Sequence, residues 1–233
     1  MQHLDVTVVS QAISWLQQQP VWLCTVLSTY GSSPRSPGAL MAATRDGRYS
    51  GSLSGGCVEE DFLRRMAAGE YQAASQVIRY GEGGMTPNVA LPCGGVLDVL
   101  IEYLPASEAS IAYLRRIAGA LEGHHALIKR LTLPNACHSL EQSHFTSATQ
   151  VERRLEQITL HIAAAPRLLI AGLSSVALYC ADFAVALGFE VLVCENRPEA
   201  LDNFAAELKP GVTLLRQFPA KFIEEGGCHA NTA

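Results

Sequence analysis

The sequence has no C-x-x-C pair and no histidine near its glycine-flanked cysteines, so it lacks the spacing of a structural zinc site. It has no apolar run near the ~18 residues that would suggest a membrane span. It has no excess of basic residues. The formal charge is -5, which argues against a nucleic-acid surface. The opening MQHLDVTVVSQ has neither a basic start nor a signal-peptide core. Seven cysteines, odd in number and widely scattered, are therefore expected as reduced thiols in the cytoplasm rather than as a disulfide framework.

What is present is apolar bulk. Of 233 residues, 48% are hydrophobic, enough for one large core or two modest ones. Val9, Ala12, Ile13 and Leu16 recur at helical spacing before Pro20. VWLCTVLS, ALMAAT, QVIRY and VLDVLIEYL read as strands, and Asp46-Gly47 marks a hairpin. Val58, Phe62, Leu63 and Met66 mark a helix that Gly69 closes. Between 107 and 165 the pattern weakens. IAYLRRIAGAL is predicted helical, ALIKRLTL extended, and NACHSLEQSHFTSATQ a loop. RLLIAG, SSVALYCADFAVALG and FEVLVCE then form a strand–helix–strand unit of a parallel sheet. The expected class is α/β. A mixed domain over 1–106 is followed by a connecting region over 107–165. A short Rossmann-like domain, brief or truncated, then occupies 166–233.

Four stretches carry candidate chemistry. In GSLSGGCVEE, Cys57 follows Gly55 and Gly56 at a predicted helix entrance. Backbone donors there would favour a thiolate, able to hold a soft metal or attack an electrophile. Glu59 and Glu60 oppose that effect, and a small buried hydrophobe is the plainer reading. In LPCGG, 36 positions later, Cys93 precedes Gly94 and Gly95, which would let backbone approach a ligand. In GSSPRSPG, Ser33 offers a hydroxyl and Arg35 a guanidinium suited to phosphate or carboxylate, unless this is simply a solvated turn. Cys24, Cys180 and Cys194 are expected to be packing residues. The fourth stretch, GLSSVA, matches the dinucleotide fingerprint at Gly172 and Ala177, but Ser174 replaces the second glycine. Glu195 stands where a ribose-binding carboxylate belongs. NAD(P) binding is accordingly doubtful, and a dinucleotide-dependent oxidoreductase is the alternative reading.

GSSPRSPGALM, DGRYSGSLSGGCVEE and LPCGGVLDVLIE, in that order, resemble the XdhC/CoxI family. Those proteins are maturation factors of xanthine and carbon monoxide dehydrogenases. GLSSVA departs from the family's common GAGHVA. The resemblance implies a chaperone that carries molybdenum cofactor as transient cargo to an apo molybdenum hydroxylase, with a cysteine desulfurase as sulfur-donating partner. It implies cofactor contacts at Cys57, Cys93, Gly55, Gly56, Gly94, Gly95, Ser33 and Arg35, with either cysteine a soft contact to molybdenum. A homo-oligomer is expected. A non-catalytic module that binds a dehydrogenase is the remaining alternative.

Overall fold

The computed structural model describes residues 2–30, 35–84, 95–123, 125–143, 149–163, 166–187, 189–228 and 232–233, without the side chains of Gln2, His3 and Cys57. The chain divides into two compact units, His3–Phe145 with Thr149–Ala163, and Ala164–Ala233 with Met1–Gln2 and Thr146–Ala148.

The first unit opens with helix α1 (Gln2–Leu16). Five strands follow, β1 (Val21–Tyr30), β2 (Leu40–Thr44), β3 (Tyr49–Gly51), β4 (Ser75–Tyr80) and β5 (Val96–Leu104). Helix α2 (Cys57–Ala67) lies between β3 and β4 in the chain. The strands form one antiparallel sheet in the order β3-β2-β1-β5-β4. Its central strands are apolar on both faces because each face meets a core. From β1, Val21, Leu23 and Leu27 enter one core with Val8, Val9, Ala12 and Leu16 of α1. Trp22, Cys24 and Val26 enter the other, under Val58, Phe62 and Met66 of α2.

Residues 107–165 correct the expectation of a connecting region. They hold helix α3 (Glu108–Leu121) and strands β6 (Ala126–Thr132), β7 (Ser139–Ser143), β8 (Gln150–Arg154) and β9 (Gln157–Ile162). The strands pair antiparallel in the order β7-β6-β9-β8. Ile111, Leu114, Ile117, Leu127, Leu131, Ile158 and Leu160 are buried in the same core as α1. The expected loop around 139–143 is the edge strand β7. Its residues are at most half-buried, so no apolar alternation marks it. Where the two elements meet, Lys129 and Glu102 form a buried ion pair, and the Tyr113 hydroxyl donates to Glu102 Oε1 at 2.9 Å.

The second unit is the expected Rossmann-like α/β arrangement. Strand β10 (Arg167–Ala171), helix α4 (Ser175–Ala186), strand β11 (Glu190–Cys194), helix α5 (Pro198–Phe204), strand β12 (Val212–Leu215) and helix α6 (Pro219–Glu224) follow in turn. The three strands pair parallel in the order β10-β11-β12. Helix α4 is apolar on most sides, Asp182 being its one charged residue, rather than amphipathic. Ala177, Ala181 and Ala184 face the core, while Val176, Tyr179, Phe183 and Leu187 are exposed. Cys180, expected to pack, is exposed on that helix; Cys24 and Cys194 are buried. Among the described residues no helix is long and apolar enough to cross a membrane.

Candidate functional site

Register sends the N-terminal motif segments out of the five-stranded sheet in the same direction. Strand β1 ends at Tyr30, just before the serine–proline–arginine loop, and Tyr30 pairs with Val96, which follows LPCGG. Tyr80, the end of β4, lies one residue further along β5, opposite Leu97. Gly51, the end of β3, pairs with Met41 near the start of β2 and leads into SLSGG. From β3 to β5 is three strand spacings, about 14 Å across, and the two motif ends are staggered by about 17 Å along the strands. Ser33, Cys93 and Gly94 lie outside the described residues. Gly95 lies within them and is buried. A Cβ on Gly81 would fall 2.2 Å from the Gly95 carbonyl oxygen. Close backbone packing therefore explains the glycine at 81, with Gly95 as its neighbour.

The glycine-rich loop has an occupant of its own. Glu59, in the first turn of α2, turns its carboxylate back into SLSGG. Oε1 accepts from Ser52 Oγ at 2.7 Å, Leu53 N at 2.7 Å, Ser54 N at 2.9 Å and Gly55 N at 3.0 Å. Oε2 accepts from Gly56 N at 2.8 Å and Ser54 Oγ at 3.0 Å. Glu59 is 3% exposed. Burial pushes its carboxyl up, but the bonds from Ser52, Ser54, Gly55 and Gly56 outweigh this and hold it well below the usual carboxylate range. The Gly55 and Gly56 amides, expected to face cargo, thus point at an internal carboxylate. The loop is an anion nest filled by its own chain. Gly56 is the N-cap of α2, so Cys57 takes the first helical position, as its sequence context predicts. The glutamate three residues after the cap was the available signal.

Arg35 is also turned inward. It is 6% exposed, and its Nη2 donates to Asp5 Oδ1 at 2.8 Å. The same oxygen accepts from Leu40 N at 3.0 Å. Burial raises the Asp5 carboxyl against the pull of Leu40 and Arg35. The expected anion-binding guanidinium therefore ties its loop to α1. Its partner lies 30 residues away, beyond local reading.

In the second unit, Gly172 turns the chain after β10 with φ +99°. Ser174 Oγ accepts from Ala177 N at 3.2 Å and caps α4, which explains why a hydroxyl stands in that loop. Glu195 is 2% exposed. Its carboxylate accepts from Leu173 N, Asn196 N and Arg197 N, each at 2.8 Å, and from the Arg197 guanidinium at 2.8 and 3.1 Å. Arg197, ahead of burial and the backbone bonds, holds it far below the usual range. An acceptor so engaged does not fit the open carboxylate that a ribose diol requires. No group of three or more metal-ligating side chains gathers among the described residues. The Cys137 thiol lies within donating reach of the Ser139 carbonyl at 3.2 Å and the Arg130 carbonyl at 3.4 Å, and His229, next to Cys228, lies outside the described residues.

The chain is 36% identical over 99 residues to the molybdenum cofactor insertion chaperone PaoD of Escherichia coli, covering 41% of this chain and 30% of that protein. It is 26% identical to a Bacillus subtilis protein named as a probable xanthine dehydrogenase subunit, covering 89% of this chain and 68% of the relative. The crystal structure of a xanthine dehydrogenase from Bacillus halodurans shares the fold, with a TM-score of 0.65 at 21% identity over 95% of this chain and 70% of that one. The XdhC and CoxI family profile matches residues 14–81. That stretch holds GSSPRSPGALM and DGRYSGSLSGGCVEE, two of the three motifs that carry the resemblance.

Proposed function

We propose that the protein binds molybdenum cofactor and delivers it to an apo molybdenum hydroxylase. One observation carries the reading: the family's motif segments run out of one sheet in the same direction. The likeness to PaoD supports the choice of cargo. Molybdopterin presents a phosphate and two dithiolene sulfurs around a metal, and calls for anion donors and soft contacts. Cys57 and Cys93 are the soft contacts in this proposal. Delivery requires release, so each contact must be exchangeable. The client oxidises a purine, an aldehyde or carbon monoxide, and a cysteine desulfurase supplies the terminal sulfur.

The test is anaerobic mixing of the purified protein with free cofactor, separation by size, and assay of molybdenum and pterin in the protein fraction. Cofactor should travel with the parent and less with Cys57→Ala than with Cys93→Ala, once all three are shown to fold. Cofactor that never travels with the parent, in intact or sulfurated form, would remove the proposal. Equal retention by the parent and Cys57→Ala would remove that cysteine from it.

A further inference from the structure

The pairing of β1 with β5 contains one irregularity. Val26 pairs with Val99, and the next pair is Ser28 with Asp98, so Leu27 is the extra residue of a β-bulge. Side chains on a regular strand alternate faces. Without the bulge, Ser28 and Tyr30 would share the face of Cys24 and Val26 beneath α2. With it they stand on the other face, beside Asp98 and Val96. Bulges of this kind re-aim side chains beside functional sites.

The bulge places Ser28 in an uneven charge cluster. Ser28 Oγ donates to Asp98 Oδ2 at 3.2 Å. Arg79 grips the same carboxylate twice, Nε to Oδ1 at 2.7 Å and Nη2 to Oδ2 at 2.8 Å. Arg153 Nη1 stands 3.5 Å from Oδ2. One arginine would balance Asp98, and the second leaves a net positive charge in a chain of net charge -5. The Asp98 side chain is 7% exposed, whereas those of Arg79 and Arg153 are 49% and 39% exposed. A guanidinium has five N–H donors. Arg79 spends two on Asp98, which leaves donors facing solvent in fork geometry. Tyr30 is 77% exposed and lies two residues along the same face, about 7 Å from Ser28. An exposed tyrosine alone means little. An exposed tyrosine on the sheet face that carries Asp98 and Arg79, two residues beyond Ser28, suits a flat ring that carries an anion on a short linker.

We propose that Tyr30, Arg79 and Arg153, with Asp98 and Ser28 holding the arginines in place, form a subsite for a planar heteroaromatic phosphate. The ring stacks on Tyr30 and the phosphate takes the outward N–H groups of the two arginines. Only the naming of the ring as a pterin rests on the carrier reading above.

The probe is the fluorescent oxidised pterin phosphate released from molybdenum cofactor, titrated before and after phosphatase treatment. Adenosine monophosphate is run beside it as the other common ligand of this chemistry. The parent should bind the phosphorylated pterin at least about tenfold more tightly than the dephosphorylated one, and more tightly than the nucleotide. Arg153→Gln should bring the phosphate preference close to one. Tyr30→Ala should weaken both pterins alike and keep the preference, and Tyr30→Phe should restore binding. Arg79→Gln exposes Asp98 to the loss of its main partner, so Arg153→Gln, with circular dichroism as the check on folding, is the deciding variant. A parent without phosphate preference, or an Arg153→Gln variant that keeps it, overturns the subsite. Tighter binding of the nucleotide overturns the pterin assignment. Retention of intact cofactor without phosphate preference defeats the subsite and leaves the carrier reading standing. Phosphate preference without retention of intact cofactor does the reverse.

Discussion

Glu59→Gln is the most direct perturbation of the glycine-rich loop. The change keeps the shape of the side chain and replaces one acceptor oxygen with a donor. If the amide oxygen keeps the Oε1 position, it can still accept from the Ser52, Leu53, Ser54 and Gly55 donors. The amide NH₂ then faces Gly56 N and Ser54 Oγ. The hydroxyl can rotate to accept, but the Gly56 amide cannot. Leaving a buried donor unpaired costs about 1–3 kcal/mol, and weakening bonds to a formerly charged acceptor adds to it, so a loss of about 3 kcal/mol is expected. For a chain of this size that lowers the melting temperature by roughly 6–12 °C. Glu60→Gln is the control. Glu60 is exposed in the same helical turn, and its loss should cost less than about 1 kcal/mol. Thermal melts followed by circular dichroism give the comparison, and amide exchange over 52–56 localises it. A Glu59→Gln variant that melts within about 1 °C of the parent, or no differently from Glu60→Gln, would refute the filled-nest argument.

Three further outcomes follow from the same geometry. Glu59 and Asp98 both have folded pKa values below their ordinary ones, Glu59 through its loop bonds against burial and Asp98 chiefly through Arg79. Their stabilisation is present above the unfolded carboxylate pKa of about 4 and is lost as pH falls through the folded value, so the melting gap between parent and Glu59→Gln should narrow in acid. Lys129→Met strands the Glu102 carboxylate in the core and should cost about 3–5 kcal/mol by denaturant unfolding, with much of it recovered by adding Glu102→Gln. Ser174→Ala removes the α4 cap and should cost about 1 kcal/mol, whereas Ser174→Gly should cost only a few tenths; calorimetry with NAD(P) on the parent and Ser174→Gly should show no low-micromolar binding in either.

Elements whose own residues decide them were legible in the sequence. The spacing of Val9, Ala12 and Leu16 marks α1, Asp46-Gly47 marks the β2–β3 hairpin, and the two apolar runs flanking GLSSVA mark the parallel pair. Strand β7 was not legible, because an edge strand with half-exposed residues carries no period-two signal. The shared core of α1, α3, β6 and β9 was hidden because nothing local tells a helix at 108–121 that its partner lies at 2–16. The site divides in the same way. A glycine-rich segment is visible as a string of letters, but the direction of its amides depends on Glu59. The role of Arg35 depends on Asp5, and that of Ser28 and Tyr30 on a one-residue slip opposite Val99. Each of these is set by tertiary pairing, which a single sequence does not display.

Under the proposed carrier reading, the nest filled by Glu59 bears on release. Amide groups that clasp a guest must find water or one another when it departs, and that rearrangement slows departure and deforms the empty protein. Here the amides of 53–56 are saturated from within, whether or not anything is carried. If cargo is carried as proposed, the segment leading into Cys57 needs no new partners for these amides on loading or handover. The residence time of such a cargo would then rest on contacts outside the nest, where a receiving protein could compete for them one at a time.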